Sequence, residues 1–351
     1  MIFKKKDRLV GLDIGSSSIK VAEFSESKNG VILKKFGIMP LEPGLIEDGR
    51  IKDMDGVAQR IRELFIAENI QTKNVAVSTG GHAVVIKTIT APRVPDDELH
   101  ETIHSEAEQY IPYDIGEVNV DFQVLGLNEF YENQLNVLLV AAKKELVDEY
   151  VDLVTRAGLV PKVIDVDAFA LQNMFDMLPQ SKAEKIVMLA DVGASKMSMN
   201  ILKDGQPVMM RDNTHGVGQI IEEMAHRLGL ETAAAETLWR DPAQWGDNKE
   251  VIEDICSQAV RTWCTEIAEV AHNFHASSEG SLERVFLSGG GAYVQGFSDQ
   301  LTMELGAPVE PMMPLSGMEV DSRTLSQDLI AEVEAQSGIA LGLALRRVDD
   351  K

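Results

Sequence analysis

Three short turns, met in a fixed order along the chain, constrain this sequence more than any other feature. Val10-Gly-Leu-Asp-Ile-Gly-Ser-Ser-Ser-Ile-Lys20 runs an apolar strand into an Asp-x-Gly turn, and Ala190-Asp-Val-Gly-Ala-Ser195 repeats its core. Leu287-Ser-Gly-Gly-Gly-Ala292 adds a third turn of small residues. In such turns backbone N–H groups approach phosphate oxygens with no Cβ in the way. One of them alone reads as an ordinary β-turn. Three in this order, the first two sharing Asp-x-Gly at the start of each half, point to two related lobes closing on one nucleotide. Lys20 ends the first hairpin, where its amine can reach back to the β- and γ-phosphates. Asp13 is then expected to stay free to hold Mg²⁺ through water, an ion that keeps several waters and uses few carboxylates. Neither a Gly-Lys-Ser/Thr loop nor a G-x-G-x-x-G turn opening a helix accompanies them, so the competing phosphate-binding folds lack their signatures.

At 351 residues the chain can bury a large core in two or more domains. Its 33 Lys and Arg stand against 56 Asp and Glu, a net charge of −23. That balance disfavours direct contact with nucleic acid or anionic lipid. The run Lys4-Lys5-Lys6 is a local exception and reads as a solvated terminus rather than an anchor. No secretory signal precedes the first strand and no run of about twenty apolar residues occurs, so a soluble cytoplasmic protein is expected. Cys256 and Cys264 fall on one predicted helix roughly 12 Å apart at about 1.5 Å per residue, too far to pair, and read as buried thiols.

Apolar alternation predicts strands over 10–14, 18–24 and 31–38, a helix over 53–69 with Val57, Ile61, Leu64 and Phe65 on one face, and a strand over 74–78. The second half reuses that opening, with strands over 186–190, 196–202 and 207–212, which argues for a duplicated architecture. Inserted within the first half, residues from about His82 to Gly158 read as a separate unit. It has a strand over 84–90, an acidic helix over 96–110 with Leu99, Ile103 and Ala107 as its apolar stripe, strands over 118–125 and 135–142, and a helix over 144–157. The order suggests a small α+β module with its helices against one sheet face. Residues 216–276 read as mostly helical, and the small residues of 337–346 as a packed C-terminal helix.

The three turns resemble those of the actin, Hsp70 and sugar-kinase superfamily, and the inserted unit narrows the resemblance. Glu98-Leu-His-Glu-Thr-Ile-His-Ser-Glu-Ala-Glu-Gln-Tyr-Ile-Pro-Tyr113, continuing through Glu117-Val-Asn-Val-Asp-Phe-Gln-Val-Leu125, is similar to the characteristic segment of the PilM family, the cytoplasmic actin-like proteins of type IV pilus assembly. Ala141-Ala-Lys-Lys-Glu-Leu146, Ala157-Gly-Leu-Val-Pro161 and Asp165-Val-Asp-Ala-Phe-Ala-Leu171 extend the likeness over essentially the whole chain. It implies an α/β, two-lobed actin-like ATPase fold with an FtsA-like inserted 1C subdomain. Subdomain 1A would take residues 1–81 and 159–185, 1C residues 82–158, and 2B residues 214–284. Subdomain 2A would take 186–213 and 285–351, its C-terminal helix returning to 1A. The resemblance further implies ATP or ADP with Mg²⁺ in the interlobe cleft, and an N-terminal cytoplasmic PilN peptide docked between 1A and 1C. The protein would thus sit at the inner membrane as an adaptor of the pilus assembly complex, without inserting. Self-association stays open, as does the alternative of an FtsA-like self-assembling cytoskeletal ATPase. A sugar kinase is disfavoured by the inserted module.

The superfamily pattern carries over residue by residue. Asp13, Gly15, Ser16, Ser17 and Lys20 match the first phosphate turn; Asp191, Gly193, Ala194 and Ser195 match the second, with Asp13 and Asp191 holding Mg²⁺ through water. Gly289, Gly290 and Gly291 match the nucleoside turn, and Glu236 is the sugar contact. Relatives commonly carry Lys where this chain has Trp239. Asp167 stands where relatives place an acid or amide that orients water, and as the sole clear candidate it implies slow hydrolysis at most. His215 precedes a helix N-terminus that could face phosphate, and is read first as a turn or solvent residue. His100-Glu-Thr-Ile-His104 contains His-Glu-x-x-His, the spacing of a zinc protease with Glu101 as base. Ile103, however, belongs to the apolar stripe, and no third ligand stands at protease spacing.

Overall fold

The computed structural model describes residues 9–348 apart from 28–29, 48, 82, 129–130, 278–279, 317, 322–324, 326–329 and 332. The Lys4-Lys5-Lys6 run and His82, the expected first residue of the insertion, lie outside the described residues.

The chain opens as an antiparallel ribbon of β1 (Val10–Ile14), β2 (Ser18–Ser27) and β3 (Gly30–Pro40), then a short pair, β4 (Ile46–Glu47) and β5 (Arg50–Ile51). Helix α1 (Met54–Ala67) begins where the Asp53 carboxylate accepts the Gly56 N–H at 2.9 Å, satisfying a donor the first turn leaves over. It buries Val57, Ile61, Leu64 and Phe65, and β6 (Asn74–Thr79) follows. The inserted stretch is β7 (Val84–Pro92), α2 (Asp96–Ala107), β8 (Val118–Leu127) and β9 (Gln134–Lys143), its three strands ordered β7-β9-β8. Helix α3 (Lys144–Arg156), β10 (Val160–Val166) and α4 (Asp167–Phe175) lead out of it.

The second lobe starts with β11 (Ile186–Val192), β12 (Met197–Lys203) and β13 (Gln206–Asn213). Three helices follow, α5 (Val217–Leu228), α6 (Thr232–Arg240) and α7 (Lys249–Ser277). Then come β14 (Arg284–Ser288), α8 (Phe297–Leu305), β15 (Val309–Pro311), β16 (Glu319–Val320) and α9 (Gly338–Leu345). One sheet runs β10-β6-β1-β2-β3-β16, the other β13-β12-β11-β14-β15. Starting from β3 in the first and β13 in the second, both have two antiparallel pairings followed by two parallel ones. The duplication foreseen in the sequence is therefore a duplication of topology.

Among the described residues, one of the four buried apolar clusters is built where the halves meet. Strand residues Ala22, Phe24 and Leu33 of the first sheet and Leu189, Leu202 and Phe286 of the second share one apolar cluster with α4 and α9. Helix α9 is apolar on every side, as a helix buried between layers must be. Its closeness is set by missing side chains: a Cβ on Gly342 would stand 1.7 Å from the Ala170 carbonyl oxygen, and one on Gly11 2.1 Å from that of Ala340. Of the two helices expected to cover the small inserted sheet, α2 does so, burying Leu99, Ile103 and Ala107 with Ile89, Val137 and Leu139. Helix α3 turns the other way and buries Tyr150, Leu153 and Val154 beside Val57 and Ile61 of the first lobe. Its apolar face is equally legible in either packing, so sequence periodicity could not choose between the sheets. Among the described residues no helix is long and apolar enough to cross a membrane.

Candidate functional site

A cleft of about 1180 Å³ lies between the lobes, and both Asp-x-Gly turns line it. The turns are built alike: Gly15 N–H donates to the Ser18 carbonyl at 3.1 Å, and Gly193 N–H to the Lys196 carbonyl at 2.9 Å. They touch across the cleft, the Ser16 and Ser195 hydroxyl oxygens standing 2.6 Å apart. Among the described residues, the backbone N–H groups of Ser16, Ser17, Ala194 and Ser195 donate to no protein acceptor. Two nests of unclaimed donors thus face one cavity, an arrangement suited to anion oxygens.

The hairpin registers decide where the charges go. Across β1 and β2, Asp13 pairs with Lys20; across β11 and β12, Asp191 pairs with Ser198. Asp13 is accordingly not free as expected, because Lys20 Nζ donates to its Oδ2 at 3.0 Å with both side chains buried. Asp191 has no such neighbour in its own hairpin. Burial pushes its carboxyl up to about 6 and the nearby Asp13 adds to this, while Ser288 and the two lysines oppose it. Desolvation without a close counter-charge has this sign.

The second hairpin carries its lysine one residue past the turn, at the place the first gives to Ser18. Lys196 reaches across to the first lobe and pairs with Asp167 at the start of α4. Burial alone would raise the Asp167 carboxyl, but Lys196, helped by Ser78, holds it below the ordinary range. Burial likewise works against the charge on Lys196, and Asp167 and Asp212 more than restore it. Asp212 in turn accepts the Gly81 N–H of the first lobe at 2.7 Å. Tyr150, on α3, lines the same part of the cleft, with its phenol pushed up to about 12 chiefly by burial.

The other end of the cleft belongs to the second lobe. Glu236 lies there, held by Arg240 at 2.5 Å one turn along α6. Trp239 and Trp245 stack with ring centroids 6.2 Å apart, and the Trp245 indole donates to the Leu238 carbonyl at 2.9 Å. Gly289 and Gly290 line the cavity, and Gly289 takes a left-handed φ of 82°. A Cβ on Gly289 would stand 2.4 Å from the Val192 carbonyl oxygen. Gly291 does not line the cleft: it is buried where a Cβ would meet Val192 Cγ1 at 2.4 Å.

Residues 11–348 match the family model of the type IV pilus assembly protein PilM. The chain belongs to the PilM family. The solved PilM–PilN type IV pilus biogenesis complex superposes with a TM-score of 0.85 at 29% identity, over 98% of this chain and 99% of that one. Two more distant structures share the actin-like fold. The ethanolamine utilization protein EutJ of Carboxydothermus hydrogenoformans has a TM-score of 0.58 at 16% identity, covering 96% of this chain and 89% of its own. MreB5 of Spiroplasma citri bound to AMPPNP has 0.50 at 11%, covering 97% and 95%.

Within this PilM-family cleft the structure gathers Asp13, Gly15, Ser16, Ser17, Lys20, Asp167, Asp191, Gly193, Ala194, Ser195, Glu236, Gly289 and Gly290. His215 is placed elsewhere, its Nδ1 2.5 Å from Glu266 on α7. His100 and His104 are exposed on α2, and the His100 ring packs edge-on to Phe122 at 4.8 Å. Both cysteines are buried thiols. Lys196 and Tyr150 were missed by sequence reasoning. For Lys196 a signal existed, a cation directly after the second turn, but its partner 29 positions earlier becomes visible only when the lobes are brought together.

Proposed function

We propose that this type IV pilus assembly protein is a nucleotide-binding adaptor: its cleft takes Mg-ATP or Mg-ADP, and its first lobe takes the N-terminal cytoplasmic peptide of PilN. The residues present fit the nucleotide. The observation that carries the reading is the meeting of the two turns at Ser16 and Ser195, with four N–H groups unclaimed and a buried carboxylate, Asp191, engaged in no ion pair among the described residues. Mg²⁺, when bound, would supply positive charge that offsets the phosphates. Asp191 would hold it through water, with Asp13 doing so only as far as Lys20 releases it. The N–H groups of both turns orient the phosphates, Lys20 adds positive charge, and Gly289 and Gly290 leave room for the nucleoside. Asp167, the sole candidate for orienting water, is engaged by Lys196 in the empty cleft, and with no second base turnover is slow. Calorimetric titration with Mg-ATP and Mg-ADP tests this site. Asp191→Ala should weaken binding at least tenfold while the fold persists, whereas unchanged affinity in the folded variant would reject it.

The adaptor reading draws on the likeness to a PilM–PilN complex, which supports it over an FtsA-like self-assembling ATPase. We place the peptide in a groove between subdomain 1A and the inserted 1C unit. An extended peptide can add main-chain bonds and fill apolar pockets there. Attachment through PilN would keep the protein at the inner membrane within the pilus assembly complex. Fluorescence titration with a synthetic PilN N-terminal peptide, with and without Mg-ATP, should saturate. A flat titration against folded protein would remove PilN from this account.

A further inference from the structure

We propose that Lys196 is the residue by which this cleft distinguishes a nucleoside triphosphate from a diphosphate, exchanging Asp167 for the terminal phosphate. The inference rests on the nucleotide reading of the cleft and adds to it a specificity-determining side chain.

Four cations line the cavity among the described residues, and two are at its tryptophan end: Arg240 is held by Glu236, and Lys249 stands 3.7 Å from Glu253. Lys20 and Lys196 remain at the end where the turns meet. Lys20 is locked into its own hairpin, its side chain 11% exposed and bonded to an equally buried Asp13. The Lys196 side chain is 29% exposed and its bond leaves its own lobe. Its head lies at the seam, between Asp167 and Gly80 of the first lobe and close to Asp212 of the second. A Cβ on Gly80 would stand 2.5 Å from Lys196 Nζ and 2.9 Å from Asp167 Oδ2, so glycine there leaves the space the amine occupies.

A phosphate chain laid from the tryptophan end toward the turns would finish beside Ser16 and Ser195, and Lys196 directly follows Ser195 in the second turn and lines the same cavity. A terminal phosphate is a better partner for an ammonium than a single carboxylate oxygen, because it carries more charge and more acceptor positions. A diphosphate ends one group short, and Lys196 then stays with Asp167. The exchange couples three events at one side chain: the third phosphate is sensed, Asp167 is released, and one of the polar links between the lobes is rewritten.

Equilibrium binding of Mg-ATP and Mg-ADP to the full chain tests the idea without recourse to turnover. In wild type the triphosphate should bind more tightly. Lys196→Met should cut the triphosphate-to-diphosphate ratio about tenfold, the size of one hydrogen bond to a charged group, and leave diphosphate affinity nearly unchanged. Asp167→Asn, which frees the amine, should raise triphosphate affinity alone, and the double variant should match Lys196→Met. Circular dichroism confirms that each variant is folded. A Lys196→Met protein with the wild-type ratio overturns the inference, as does an Asp167→Asn protein in which both nucleotides gain or lose alike. Wild-type protein that binds neither nucleotide overturns the reading of the cleft itself, and this inference with it.

Discussion

The two hairpins that open the two lobes share a backbone and divide their charges differently. In the first, a carboxylate and an amine face each other across the ladder, Asp13 opposite Lys20, and neutralise one another inside one lobe. In the second, Asp191 faces the hydroxyl-bearing Ser198, and the lysine sits at the turn and spends its charge on the opposite lobe. A duplicated fold therefore carries one settled half-site and one unsettled half-site. The first is a preformed wall; the second holds a desolvated carboxylate and a cation whose partner can change. Ligand binding should accordingly be felt mainly by the second hairpin.

The largest effect expected from this comparison is in the settled half. Lys20→Met leaves Asp13 buried without its partner and should cost about 3 to 5 kcal/mol of unfolding free energy, the usual penalty for breaking a buried pair from one side. Urea denaturation of the nucleotide-free protein measures it. A loss under about 1 kcal/mol would mean that Asp13 is as poorly compensated as Asp191, and the contrast between the hairpins would collapse.

Asp191 gives the next largest effect, and its sign is opposite. Its folded value of about 6 lies above the ordinary 3.8, so the folded state binds more protons than the unfolded state between those values. The associated stability is present below pH 4 and is lost as pH rises through 6, a change of up to about 3 kcal/mol for a shift of about two units. Asp191→Asn removes this slope. Relative to wild type, the variant should become more stable as pH is raised from 4 to 7 and should bind Mg-nucleotide more weakly. A variant whose stability tracks wild type across that range would show that Asp191 is not the uncompensated carboxylate.

Much of this contrast was legible in the sequence, and the remainder was not for identifiable reasons. The Asp-x-Gly repeat located both turns, and the reuse of strand, turn, strand, turn, strand announced the shared topology. The Asp13–Lys20 pair could have been read as well: a hairpin closing at Gly15 to Ser18 places residue 14 opposite 19, and 13 opposite 20. The partner of Lys196 could not, since it depends on how far apart two lobes come to rest. The packing of α3 was hidden because an apolar stripe states that a helix is covered without stating by what. The strands β15 and β16 span three and two residues, too short for alternation to register. Gly291, grouped with its neighbours by composition, serves packing against Val192 while Gly289 and Gly290 face the cleft.

The crossing pair supplies a sharper test than either hairpin alone. The Lys196 side chain is 29% exposed against 11% for Lys20, so its attraction to Asp167 is better screened and its loss should cost about 1 to 2 kcal/mol, below the Lys20 penalty. Lys196→Met in nucleotide-free protein should thus lower the denaturation midpoint slightly while leaving Lys20-dependent stability untouched. A penalty as large as that of Lys20→Met would place the crossing pair among the fixed parts of the core.

The smallest effect is expected from the contact that joins the hairpins most directly. The Ser16 and Ser195 hydroxyls form one neutral hydrogen bond at 2.6 Å between partly buried groups, and deleting it by Ser195→Ala should cost about 0.5 to 1 kcal/mol. Its consequence for motion should exceed its consequence for stability, because it spans the cleft and holds the two turns together when no phosphate lies between them. Fluorescence energy transfer between labels on the two lobes should report a wider mean separation in Ser195→Ala than in wild type without nucleotide. Adding Mg-ATP should bring the two proteins to the same separation, since the N–H groups of both turns then share one ligand. If the variant stays as closed as wild type when empty, the lobes are held by the shared core around α4 and α9 and not by the turns. The asymmetry of the hairpins would then govern affinity alone.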